Sequence, residues 1–397
     1  MKTLLATILS LTICLAPEAQ QVINIADSNN VFAFKLYNEV RRSEDNENLF
    51  FSPFSISTAL AMTYAGAKNE TEKQMSHTLH FSLDQNTFHK NYKNYLEKIG
   101  SDTGKDLVMG IANSLWIANS LKLLPSFSGI VNTDYKSAAK NVDFSNTEQT
   151  RQEINSWVEQ KTNNKIKGLI KPRILDADTK LVLVNAIYFN GKWKTPFPKD
   201  STKNEKFHKT YSGNVKVNFM HNTAHYKYYH DDTLKAIDIP YADGKISMIV
   251  LLPQDRDDID TIENKLNYRY YSKIVSSMSQ QKIVLALPKF KTTAEFELAD
   301  ELSNMGMPIA FSSSANFKGM SDESLCISHV IHKAFIDVTE EGTEAAAATA
   351  VNMKMLMVMR APVSISFIAN HPFIFVIRDN ATGSILFMGK IMDPTKE

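Results

Sequence analysis

The chain has 397 residues, 43% of them hydrophobic and 22% charged, which supplies a large apolar core and excludes intrinsic disorder and collagen-like repeats. Its formal net charge is +1, and its lysines and arginines are interleaved with acids, so it carries no electrostatic footprint for nucleic acid. No Pro/Gly/Ser-rich linker or charge block divides it, so one domain over residues 20–397 is expected.

In chain order, Lys2 precedes an apolar run from Leu4 to Leu15 and then small and polar residues. This is the order of a secretory signal peptide, residues 1–19 with cleavage near Ala19, and implies an extracellular protein; a buried N-terminal helix is the alternative. The run is too short to span a bilayer, so no membrane role is expected. Cys14 lies inside it and leaves Cys326 alone, which rules out an intramolecular disulfide in the mature chain.

From Asp27 to Arg42, the spacing of Ala33, Leu36, Tyr37 and Val40 predicts an amphipathic helix capped by Asp27 or Ser28. Ser55 to Ala65 is apolar nearly all round and reads as a buried helix stopped by Gly66. Phe88 to Gly100 carries Lys90, Lys93 and Lys98, a solvated basic helix face with polyanion binding as the alternative. A further helix is expected over Arg151 to Lys167. Leu181 to Phe189, Ile246 to Leu252 and Ile283 to Leu287 then read as buried strands, followed by Val363 to Ile368, Pro372 to Ile377 and Ile385 to Met388. Helices early and strands late make an α+β protein. Asn69-Glu70-Thr71 and Asn380-Ala381-Thr382 fit the N-glycosylation pattern.

Catalytic chemistry is missing from the sequence. There is no Gly-x-Ser-x-Gly elbow, His-Glu-x-x-His, phosphate-binding glycine loop or paired-cysteine spacing, so neither an enzyme nor a metal or other cofactor is expected. His221, His225 and His230 cluster, but Tyr226, Tyr228 and Tyr229 among them favour an exposed strand over a metal site.

Residues 340–360 read EEGTEAAAATAVNMKMLMVMR, unlike any other stretch of the chain. On propensity alone this is an alanine-rich helix capped by Thr343. As a strand it places Thr343, Ala345, Ala347, Thr349, Val351, Met353 and Met355 on one face, and its small side chains would let it enter a packed sheet. Gly342 supplies a pivot ahead of them.

This segment closely resembles the hinge and reactive loop of inhibitory serpins. The hinge residues are Glu340, Glu341, Gly342, Thr343, Glu344, Ala345, Ala346, Ala347, Ala348 and Thr349, in a loop of about 340–362. LFFSPFSIS at 49–57, LVNAIYFNGKW at 183–193, VIHKAFIDVTEEGTEA at 330–345, NHPFIFVI and ILFMGKIMDP extend the resemblance over almost the whole mature chain.

The resemblance implies an α+β serpin fold. A metastable five-stranded central sheet would be accompanied by helices, smaller sheets and an exposed reactive-centre loop. It also implies a monomer that traps a target serine protease as a covalent acyl complex while the cleaved loop enters the sheet, a strand addition that releases stored strain and for which serpins are themselves a standard example. Ser52, Ser55, Asn185 and His332 would form the shutter beneath the sheet. Trp193, Lys289 and Glu340 would form the breach, with Lys289 paired to Glu340. Family spacing puts the scissile bond at Leu356-Met357, for chymotrypsin-like or elastase-like targets. Arg360-Ala361 is the alternative, for trypsin-like targets. A non-inhibitory binding or chaperone-like serpin, or an inhibitor of papain-like cysteine proteases, remains a competing reading.

Overall fold

The computed structural model describes residues 17–43, 46–101, 107–210, 213–343 and 365–397. The helix-rich part runs α1 (Pro17–Val40), β1 (Leu49–Phe51), α2 (Pro53–Tyr64), α3 (Asn69–Leu79), α4 (Gln85–Ser101), β2 (Leu107–Ala118), α5 (Pro125–Asp134), β3 (Ala138–Val142) and α6 (Thr147–Lys161). Strands then dominate: β4 (Leu181–Lys192), β5 (Lys203–Lys209), β6 (Gly213–His230), β7 (Leu234–Pro240) and β8 (Ile246–Pro253) precede α7 (Ile259–Lys265) and α8 (Tyr268–Ser277). The chain ends with β9 (Ser279–Pro288), β10 (Phe290–Glu297), α9 (Ala299–Asn304), β11 (His329–Val338), β12 (Gly342–Thr343), β13 (Ile365–Ile368), β14 (Phe373–Asp379) and β15 (Ile385–Ile391).

Two sheets organise these elements. The central one has the order β10-β11-β4-β2-β3, with the two-residue β12 wedged between β11 and β4 at one end. The other runs β1-β15-β14-β8-β7-β6-β9-β13, with β5 paired to β6. The smaller sheets implied by the resemblance are joined into this one network because β6 is 18 residues long. It pairs with β5 at one end, β9 in the middle and β7 at the other end. β4 and β8 are apolar on both sides because both faces are covered.

α2 lies behind the central sheet and is buried along its whole length. Its start is fixed locally: Pro53 occupies the first turn, and the Ser52 hydroxyl caps the helix by accepting the Ser55 N–H at 3.1 Å. Gly66 follows α2 for a packing reason, since a Cβ there would stand 2.7 Å from the Met320 side chain.

Several expected helix limits differ, among them the start of α6 at Thr147 instead of Arg151. α1 begins at Pro17, so Asp27 and Ser28 are interior residues: Asp27 accepts the Tyr268 hydroxyl, and Ser28 Oγ donates to the Asn24 carbonyl at 2.9 Å. The expected cleavage near Ala19 falls in the first turn of this helix, and residues 1–16 lie outside the described ones. α6 stops at Lys161, six residues before the expected Lys167, because Asn163 and Asn164 take left-handed φ values of 50° and 59°. Residues 363 and 364 of the expected strand Val363 to Ile368 also lie outside the described residues.

No helix among the described residues is long and apolar enough to cross a membrane. The lysines of α4 are exposed at Lys90 and Lys98 and half-buried at Lys93. The strand reading of residues 221–230 is realised in β6, where His225 and His230 are exposed and His221 lies 3.2 Å from Glu205. Of the glycosylation candidates, Asn69 is exposed, whereas Asn380 Nδ2 donates to the Gly244 carbonyl and Ser247 Oγ at 2.9 and 2.8 Å. A sugar on Asn380 would displace both bonds.

Behind β15 lies a buried ionic cluster. Glu263 accepts the Tyr37 hydroxyl at 2.5 Å and pairs with Arg41 and Lys390, each at 3.3 Å. Lys390 is wholly buried, and burial first, then the Glu263 carboxylate, keeps the Tyr37 hydroxyl protonated as a donor. Glu263→Gln leaves two cations facing a neutral amide. Guanidinium denaturation should show a loss of about 3 kcal/mol or more; an unchanged midpoint would mean the cluster contributes nothing.

Candidate functional site

β4 and β11 lie side by side and run parallel, in register from Val182 opposite His329 to Tyr188 opposite Phe335. At the middle of this ladder His332 faces Asn185, and across the next pair Asn185 faces Asn113. Strand alternation turns all three side chains toward α2, where Ser52 and Ser55 stand at the helix start.

The hydrogen bonds form one self-consistent chain. The backbone N–H of Ser52 donates to His332 Nε2 at 3.1 Å, so that nitrogen carries no proton and Nδ1–H donates to Asn185 Oδ1. Asn185 Nδ2 then donates to Ser55 Oγ at 2.6 Å and to Asn113 Oδ1, which also accepts the Ser55 hydroxyl at 3.0 Å. Ser52 Oγ donates to the Leu386 carbonyl at 2.7 Å and ties the cluster to β15. Ser52, Ser55, Asn185 and His332 are all fully buried, and a buried amide or imidazole is tolerated because every polar atom has a partner.

The structure thus brings together the four residues assigned to the shutter and adds Asn113, which the sequence reading missed. Its signal was available in IANSLWIA, an amide inside an apolar strand, the same reasoning that singled out Asn185.

The second constellation stands at the open end of the same ladder. Lys289 Nζ pairs with Glu340 Oε2 at 2.8 Å, and Thr202 Oγ1 donates to Glu340 Oε1 at 2.9 Å. Burial raises the Glu340 carboxyl, but the Lys289 hydrogen bond and the others together hold it below the ordinary carboxylate range. Trp193 Nε1 donates to the Thr339 carbonyl at 2.9 Å, and its backbone N–H donates to the Glu341 carbonyl at 2.9 Å. Lys199 pairs with Glu341 at 2.7 Å. The indole of Trp193 stacks on Tyr241 with centroids 4.5 Å apart.

These contacts hold the Thr339–Gly342 turn, from which the chain enters the sheet. Thr343 pairs with Val338 of β11 and Gly191 of β4, antiparallel to both. Gly342 is required sterically, since a Cβ would lie 2.1 Å from the Gly191 carbonyl oxygen and 2.6 Å from Lys192 Cα. Thr343 is fully buried and shares a 2.8 Å hydrogen bond with the Tyr241 hydroxyl. Thr343 is a strand residue here. Tyr241, Thr202 and Lys199 were not singled out in sequence, because they come from separate loops and strands that only the fold brings together. The remaining hinge residues, Glu344, Ala345, Ala346, Ala347, Ala348 and Thr349, and both candidate bonds, Leu356-Met357 and Arg360-Ala361, lie outside the described residues.

Burial lowers the His332 pKa to about 3, with the Asn185 contact opposing weakly. The folded value lies below the unfolded value of about 6.5, so between these limits the unfolded chain binds a proton that the folded chain refuses. Stability therefore falls as the pH drops from about 6.5 toward 3 and is indifferent to this group above that window. In urea titrations between pH 4 and 6, His332→Gln should reduce the dependence of stability on pH by up to about 1.4 kcal/mol per unit. An unchanged slope would show that His332 is already protonated in the folded chain.

With this geometry in place, the comparisons are direct. A family model described as serpin (serine protease inhibitor) matches residues 27–394. An uncharacterized serpin-like protein of Thermococcus kodakarensis is 40% identical over 372 residues, covering 93% of this chain and 86% of its own. The leukocyte elastase inhibitor of Xenopus laevis is 37% identical over 380 residues, covering 94% and 100%. Human thyroxine-binding globulin, solved with its ligand, superposes with a TM-score of 0.87 at 30% identity, covering 94% and 100%. The central sheet, the polar cluster beneath it and these matches agree: the chain belongs to the serpin family.

Proposed function

We propose that the protein is a secreted, single-domain, monomeric suicide-substrate inhibitor of serine endopeptidases, with chymotrypsin-like or elastase-like enzymes as its targets. The observation that carries this reading is β12. Two of the hinge residues, Gly342 and Thr343, already occupy the gap between two parallel strands, running antiparallel to both. Each further residue drawn in after Thr343 exchanges the parallel β4–β11 ladder for two antiparallel ladders, which are slightly stronger per residue. Small side chains from Ala345 to Ala348 fit such an entry, because a close-packed core resists larger ones.

On this account the target protease attacks the Leu356-Met357 bond and forms an acyl-enzyme through its own nucleophile. Insertion of the cleaved loop then carries the protease away before water completes hydrolysis. Leu356 suits an apolar primary pocket, and a relative named for inhibition of leukocyte elastase supports that choice. Cleavage at Arg360-Ala361 would instead indicate trypsin-like targets. No step asks this chain for a catalytic residue, metal or cofactor.

Incubation with chymotrypsin, elastase and trypsin, followed by denaturing electrophoresis and mass spectrometry of the released peptide, tests the proposal. A covalent complex and a peptide beginning at Met357 are expected. Clean cleavage with no complex would establish the binding-protein reading instead, to which the likeness to thyroxine-binding globulin belongs. Thr343→Arg should form at least tenfold less complex while being cleaved at the same bond, because β12, from which insertion proceeds, could not seat between β4 and β11 without burying that charge against Tyr241. Undiminished complex formation would contradict insertion.

A further inference from the structure

α3 ends in a turn whose backbone is fixed twice. The His80 N–H donates to the His77 carbonyl at 3.3 Å and the Phe81 N–H to the Ser76 carbonyl at 2.8 Å, the pair of bonds that closes a helix through one left-handed residue. Glycine or asparagine usually fills that position, because a Cβ is strained there; in this chain it is His80, at φ 58° and ψ 31°. Phe81 anchors the turn from the other side, its ring centroid 4.1 Å from that of Phe88 and 5.4 Å from that of Tyr64. The His80 imidazole therefore projects from a held backbone at a position that helix closure alone would not give to histidine.

The turn borders an open depression of about 440 Å³, lined by Lys73, Ser76, His77, His80, Phe81 and Ser82. Two imidazoles three residues apart thus share one wall, with ring centroids 6.5 Å apart. His80 Nε2 is buried with no hydrogen-bond partner, a cost that folded proteins ordinarily avoid. His77 is exposed, so its ring can turn. A tetrahedral ion at about 2.0–2.1 Å from one nitrogen of each ring needs the centroids about 5 Å apart, which a small rotation of His77 supplies. Burial first, and then the charges of Lys35 and His77, lower the His80 pKa. At neutral pH its imidazole is accordingly uncharged, the form that ligates a metal and not the form that pairs with an anion. Lys73 is 76% exposed and lies 3.7 Å from Glu70, so it does not occupy the space between the rings.

We infer that His77 and His80 chelate a transition-metal dication of the zinc and copper class, with water at its remaining positions, and that the ion clamps the turn between α3 and α4. Imidazole suits these ions, whereas calcium and magnesium ask for oxygen ligands and are left unbound. Ser76 adds no charge: its hydroxyl proton is given to the Lys73 carbonyl at 3.0 Å. With two protein ligands the site is exchangeable, unlike a closed four-ligand structural site. The clamp follows from linkage, since an ion that needs both rings at the folded spacing binds the folded chain in preference to the unfolded one.

The test titrates the intact protein calorimetrically with zinc chloride near neutral pH, with calcium chloride and inorganic phosphate as the contrasting probes. Saturable zinc binding is expected, with none for calcium or phosphate. His80→Asn keeps a residue that accepts the left-handed backbone, and His77→Gln changes only an exposed side chain; each should weaken zinc at least tenfold. His225→Gln, on the exposed face of β6, should leave zinc binding unchanged. Zinc should also raise the thermal midpoint of the native protein and of His225→Gln, and not that of the other two variants. Absence of zinc binding, or zinc binding that both variants at the turn retain, overturns the site. Loss in His80→Asn alone would leave one imidazole and no chelate, and phosphate binding in place of zinc would make the depression an anion pocket; either result overturns the proposal. Should His80→Asn fail to fold, His77→Gln decides alone. Zinc binding at the two histidines without a rise in the midpoint overturns the clamp.

Discussion

The parallel pairing of β4 with β11 is the constraint on which the rest of the molecule depends. It places two strands side by side that are oriented to accept an antiparallel strand between them, and β12 shows such a strand begun at one end. At its middle the ladder is crossed by the bond from His332 to Asn185, so separating the strands breaks a buried side-chain contact as well as backbone pairing. Burial makes that contact stringent: neither residue has water to turn to, and their remaining partners are Ser52 at the α2 cap for His332, and Ser55 of α2 and Asn113 of β2 for Asn185. The helix start, the strand register and the polar cluster therefore form one device, in which Ser52 serves at once as a helix cap and a partner of the sheet.

The open end of the ladder is held differently. There the chain is positioned by charge and aromatic stacking: Glu340 by Lys289 and Thr202, Glu341 by Lys199, and the turn by the indole of Trp193. The lysines of these two ion pairs are partly exposed and can exchange their partners for water, whereas Thr343, one strand position further on, is wholly buried against Tyr241. A gradient from exchangeable to buried contacts over four residues suits a segment that is meant to enter the sheet from this end only.

Much of this was legible in sequence where a residue violates its surroundings. Asn185 in an apolar strand announces itself as costly and lies at the site; the small-residue run after Gly342 is as conspicuous in sequence but lies outside the described residues. Asn113 carries the same signal and was passed over. Lys289, Glu340 and Trp193 were placed by family resemblance and not by pattern, and Tyr241, Thr202 and Lys199 carried no local signal because their roles exist only once distant segments converge. The helix limits of α1 and α6 went astray for a simpler reason: a capping residue at Asp27 is indistinguishable from an interior aspartate that bonds to Tyr268, and a left-handed asparagine pair is invisible to periodicity. The loop that would meet a protease, with Leu356 and Arg360, was read from family resemblance and the family's spacing, and lies outside the described residues.

The central claim is that a protease is trapped only when β4 and β11 part. Lys333 and Ala186 are directly opposed in that ladder, at a separation suited to a disulfide between cysteines placed at both positions. The decisive measurement is the yield of covalent complex with chymotrypsin for the Lys333→Cys, Ala186→Cys variant, oxidised and then reduced. The account predicts cleavage without trapping when the bridge is closed and recovery of the complex when it is reduced. Equal trapping in both states would contradict it.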